Sequence, residues 1–104
     1  ALARRAYLEA LQLGWEIGAL PRVLEALAGL AGLRLAAGEL IPSAELLGLT
    51  TTHPATSSDV TSVAEPLLAR LRSALPAADL EAALARGSAL SLEATVRAAL
   101  QETP

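Results

Sequence analysis

Apolar and polar positions along this chain recur in steps of three and four, the period of a helix and not of a strand. Arg5, Glu9, Gln12 and Glu16 make one solvated stripe, while Ala3, Tyr7, Ala10, Leu11 and Gly14 lie on another face. The pattern predicts a helix over Ala1–Ile17 that stops at Gly18, because glycine takes the left-handed conformation that closes a helix C-terminus. Pro21 suits a first helical turn and opens a second helix, expected to run to about Ala37. Its apolar side carries Val23, Leu24, Leu27, Leu30 and Leu35, and Ala28, Gly32 and Ala36 repeat every four residues. Small residues at that spacing permit close approach of another helix. Gly29 and Gly32 cost about 1 kcal/mol each relative to alanine inside a helix, which points to a packing role for both.

Gly38 is the next stop, and Pro42–Ser43 open a third helix carrying Ala44, Leu46, Leu47 and Leu49. It is expected to fade through the threonines at 50–52 into a hydroxyl-rich loop over residues 50–58. His53 is biased toward extended backbone by the proline after it. Ser57, Ser58 or Asp59 can cap the following helix, and Ser62 with Glu65 is an alternative capping box. The placement of Pro66 decides between the two starts: an early start puts it in the helix interior, where it kinks the helix, and a late start puts it in the first turn. That helix is expected to reach Leu75. A shorter one follows from Pro76 to Arg86, with Gly87 as its stop. Ser91 caps a last helix from Leu92 to Gln101, with Leu92, Val96, Ala99 and Leu100 inward.

Composition supports this reading. The 104 residues include 24 Ala and 23 Leu, both strong helix formers, against four Val and two Ile, so a sheet is excluded. Cysteine is absent, which removes disulfides and thiolate metal sites. Eight arginines against eleven acids give a formal net charge of −3, the wrong sign for a nucleic-acid surface. The mean hydropathy of +0.45 is high, yet the longest uncharged run, Leu46–Ser58, has thirteen residues and contains His53 and Pro54. A membrane span needs about 20 apolar residues, so a soluble, cytoplasmic protein is expected. The excess apolar surface instead suggests coverage by a partner or by further domains. The chain opens on Ala1 without Met, as a piece of a longer protein would.

Ala3, Tyr7 and Ala10 reproduce the small–aromatic–small spacing of the second helix of a tetratricopeptide repeat. Leu27, Leu30 and Ala31, with Gly38 at the turn, resemble the first helix of the next repeat. The segments Leu24–Gly48 and Ala85–Leu100 resemble the C-terminal end of the helical-repeat part of large bacterial regulators. Those proteins combine a P-loop ATPase, tetratricopeptide-like repeats, and a LuxR-type or related DNA-binding domain or a cyclase domain. The resemblance implies an all-α fold of about six helices, with helical hairpins stacked as the end of a tetratricopeptide-like α-solenoid. It implies one helical domain over 1–104: repeat-like helices at 1–49, the loop at 50–58, and C-terminal capping helices at 59–104. Arg34 stands where such a repeat carries an aromatic.

Candidate chemistry is sparse. His53 with Ser57 or Ser58 and Asp59 has the residue types of a hydrolytic triad, but all lie within one short polar loop, and helix caps explain them better. One histidine and no paired carboxylates argue against a metal site, and no phosphate-binding glycine motif occurs. Residues 76–100 have a helix–turn–helix shape but few base-reading side chains. Tyr7 and Trp15, the only aromatics, join Gly29, Gly32 and Arg34 as candidate interaction residues. The expected function is a non-enzymatic, structural and protein-interaction module in signal transduction, with no cofactor or metal. Its partners would be neighbouring repeats, another protein or a second copy, not nucleic acid or a membrane. The alternative is a small helical domain that binds an apolar ligand between its helices.

Overall fold

The computed structural model describes residues 2–101. Among the described residues there are six helices: α1 (Leu2–Ile17), α2 (Leu20–Ala36), α3 (Leu40–Thr52), α4 (Ser58–Ala74), α5 (Ala77–Ser88) and α6 (Leu92–Gln101). No strand occurs among the described residues, so the fold is all-α. Ala1 and residues 102–104, included in the expected domain, lie outside the described residues.

Two of the three predicted glycine stops hold. Gly18 and Gly38 have φ of 74° and 84°. At the second, Glu39 N–H donates to the Arg34 carbonyl at 2.9 Å and Gly38 N–H to Leu35 at 3.0 Å. At the first, Ala19 N–H donates to Gly14 at 2.8 Å. These bonds consume the last carbonyls of each helix and reverse the chain, so α1, α2 and α3 form two successive hairpins.

Three local expectations need correction, and one left open, the third below, is decided for the early start. First, α3 starts at Leu40, two residues before Pro42; the proline sits in the first turn, where no helical N–H is needed. Ser43, expected to open the helix, is buried and donates from its hydroxyl to the Ala31 carbonyl of α2 at 2.8 Å. Second, the loop is shorter than 50–58. Thr50 and Thr51 donate to the Leu47 carbonyl, and Thr52 to Gly48 at 2.6 Å, so the hydroxyls are absorbed into the last turn of α3. Third, α4 begins at Ser58, which places Pro66 in its interior. The ring removes the N–H that would bond the Ser62 carbonyl, and both residues are solvent-exposed. Ser57 is the N-cap residue, but its side chain makes no capping bond. Fourth, α5 runs through Gly87 to Ser88. Ser91 does cap α6 as expected, accepting from Ala94 N–H at 3.2 Å.

Two apolar clusters make the core. One joins α2, α3, α4 and α5 around Ala31, Leu35, Leu47, Ala64, Leu71 and Leu80. The other joins α1, α2, the end of α3 and α6 around Leu11, Val23, Leu27, Leu49 and Val96. Leu46 packs against both. The most extensive interface is α3 on α5. It is close because Gly48 and Gly87 face backbone: a Cβ on Gly48 would overlap the Leu84 carbonyl, and one on Gly87 the Glu45 carbonyl. Arg86 closes the rim of this crossing, its Nε 2.9 Å from Glu45 Oε2. Within α2–α5, neighbouring helices pack together and so do helices two apart; α6 then folds back on α1. The Cα radius of gyration of 12.5 Å is that of a compact domain of this length, about 13 Å.

Candidate functional site

The fold-back of α6 leaves a cleft between α1, α2, the start of α3 and α6. Its volume is about 700 Å³. Leu27 and Leu30 reach its floor from α2, with Leu8 from α1 and Leu46 from α3. Leu33, one turn beyond Leu30, continues this strip outward and is half-buried. The opposite wall is α6 and the residues before it: Leu90, 44% exposed, then Ala94 and Ala98. Alanines on that wall leave open space that larger side chains would fill.

The rim carries charges of both signs. Arg34 Nη1 lies 2.8 Å from Glu39 Oε1 across the turn that ends α2. Glu45 is held by Arg86, and Arg4 lines the α1 side. The site therefore offers an apolar floor beneath a rim of mixed charge.

The sequence-nominated residues do not converge. Tyr7 lies over Gly29, where a Cβ would come within 2.6 Å of the ring, so this pair is an α1–α2 packing device. A Cβ on Gly32 would meet Leu67 of α4 at 3.5 Å, an ordinary contact distance, so this glycine is not required by close packing. Trp15, 37% exposed, sits against α6 beside Val96 and Leu100, in a separate cleft of about 260 Å³. Of the five, only Arg34 borders the main cleft. Leu8, Leu33 and Leu46 were not singled out as site residues. Only Leu33 carried a signal, lying on α2 off the stripe of Val23, Leu24, Leu27, Leu30 and Leu35.

The imagined triad is not assembled. His53 Nδ1 accepts from Ala55 N–H at 3.0 Å, a local turn. Among the described residues no hydrogen bond joins His53 to Ser57, Ser58 or Asp59. No cluster of three or more His, Asp or Glu able to hold a metal occurs among them. No described helix is long and apolar enough to cross a membrane.

Compared with known proteins, the chain matches no family model, and no curated protein or solved structure shows significant similarity to it.

Proposed function

We propose that this domain is a non-enzymatic protein-interaction module that receives an amphipathic partner helix in the α1–α2–α3–α6 cleft. The carrying observation is the cleft itself: a leucine floor, an alanine wall, and a rim on which Arg34 is paired with Glu39 and Glu45 is held by Arg86 from outside the cleft. Helix-in-groove recognition needs this combination, because the guest buries one apolar stripe and leaves its polar face in water. With Arg34 engaged by Glu39 and an apolar floor beneath, the cleft suits an apolar stripe better than an anionic ligand. In the wider reading, the module is the C-terminal helical-repeat part of a signal-responsive bacterial transcriptional regulator, acting in the cytoplasm. Packing of helices one and two apart within α2–α5 is consistent with a tetratricopeptide-like stack whose last helices cap it.

A panel of amphipathic peptides with leucines at i, i+3, i+4 and i+7, titrated into isotopically labelled protein, tests the proposal. The expected result is chemical-shift change confined to Leu8, Leu30, Leu33, Leu46 and the α6 wall, abolished by Leu33→Glu with the fold intact. Shifts elsewhere, or none, overturn it. The volume also lies within the range of small-molecule sites, roughly 300–1,000 Å³, which supports an apolar small ligand as the second reading. A rise in Tm with decanol, where no peptide binds, would select that reading. The regulator assignment is checked by the surrounding gene: an ATPase domain upstream and a DNA-binding or cyclase domain adjoining are expected.

A further inference from the structure

The outer face of α1 carries a second apolar surface, remote from the cleft. Leu2, Ala6, Ala10, Leu13 and Ile17 fall within roughly 80° of one another at 100° per residue. All five are exposed, the three large ones at 85%, 59% and 66% for Leu2, Leu13 and Ile17. This is a continuous stripe along the helix, not scattered surface leucines. It is flanked on one side by Arg5, Glu9, Gln12 and Glu16; the other side turns into the buried face of Leu11 and Gly14.

We propose that this stripe is the self-association surface of the chain, with α1 pairing antiparallel to α1 of a second copy about a two-fold axis near Ala10. The order of charges on the flank carries the choice of occupant. In an antiparallel pair the same flank of each helix faces the other. Leu2 then meets Ile17 of the second copy, Ala6 meets Leu13, and Ala10 approaches its own equivalent. The same register sets Arg5 against Glu16 and Glu9 against Gln12, each twice by symmetry. A parallel pair would instead set the charged flank of each helix against the opposite flank of its partner, so Arg5 and Glu16 would not meet. Among the described residues neither Arg5 nor Glu9 is held in an ion pair, so both are available to the second copy. Gln12 Nε2 already donates to Glu16 Oε2 at 3.2 Å, which extends the polar seam along the helix. An interface one stripe wide and about 24 Å long is small for a specific contact, so the dimer is weak and concentration-dependent.

Sedimentation equilibrium of the full chain from micromolar to near-millimolar concentration tests this. A reversible monomer–dimer equilibrium is expected. Arg5→Glu or Glu16→Arg alone weakens it about tenfold, because each turns two attractions into two repulsions. The double variant Arg5→Glu/Glu16→Arg, in which the reversed charges again oppose, dimerises like the parent. Circular dichroism confirms that each variant keeps its helices. With no native cysteine among the 104 residues, mixed Leu2→Cys and Ile17→Cys chains report the register directly: they cross-link with each other, and Leu2→Cys does not cross-link with itself. A monomer at every concentration, a double variant no tighter than the singles, or Leu2→Cys self-cross-linking overturns the proposal.

Discussion

Replacing Gly87 with alanine sets two opposing effects against each other at one atom. In an ordinary helix interior the change is favourable by about 1 kcal/mol, because alanine loses less backbone entropy on folding. At Gly87 the new methyl would overlap the Glu45 carbonyl of α3. That obstacle is backbone inside a helix, so relief requires α3 and α5 to separate along their whole crossing. Overpacking that shifts backbone costs about 1–3 kcal/mol and sometimes more; with a rigid obstacle the upper end applies. The net loss is about 2 kcal/mol or more, or roughly 8–16 °C in Tm for a domain of this size. Gly32→Ala is the matched control. There a Cβ would meet Leu67 methyls at 3.5 and 3.6 Å, ordinary contact, so stability is expected to rise by up to ~1 kcal/mol. Urea unfolding followed by ellipticity reads both. A second alanine at Gly48, which faces Leu84 across the same crossing, should cost less on top of Gly87→Ala than alone, since the helices separate once for both. If Gly87→Ala unfolds within ~0.5 kcal/mol of the parent, or if both variants move in the same direction, the backbone-contact account of this interface is wrong.

Pro66→Ala is expected to stabilise α4 by ~1–2 kcal/mol, the restored bond to Ser62 outweighing the unfolded-state entropy that proline removes; a lower Tm would contradict the solvent-facing placement of that residue. Ser43→Ala is expected to cost ~1 kcal/mol by removing the buried donor to Ala31, measured as a shift in urea midpoint with unchanged slope.

Much of the fold could be read locally. The helices and their order followed from alanine, leucine and the glycine and proline punctuation, because Gly18 and Gly38 act through their own backbone angles. Gly87 was misread as a stop for a tertiary reason: its role is set by the Glu45 carbonyl, 42 positions away in the chain, and local spacing cannot show it. The threonines at 50–52 looked like loop because β-branched hydroxyl residues lose helix propensity. Here their hydroxyls bond carbonyls three and four back and keep the turn helical. The cleft was not legible, since it exists only once α6 returns to α1 across most of the chain. The individual ingredients, Leu30 and Arg34 among them, were visible without their assembly.

Trp15 is the one indole in the molecule, and it lies on the α1–α6 seam against Val96 and Leu100. Its emission wavelength therefore follows the docking of the final helix, while ellipticity averages over all six. The protein carries its own optical label on the seam between its first and last helices, and no dye need be attached to watch that seam open.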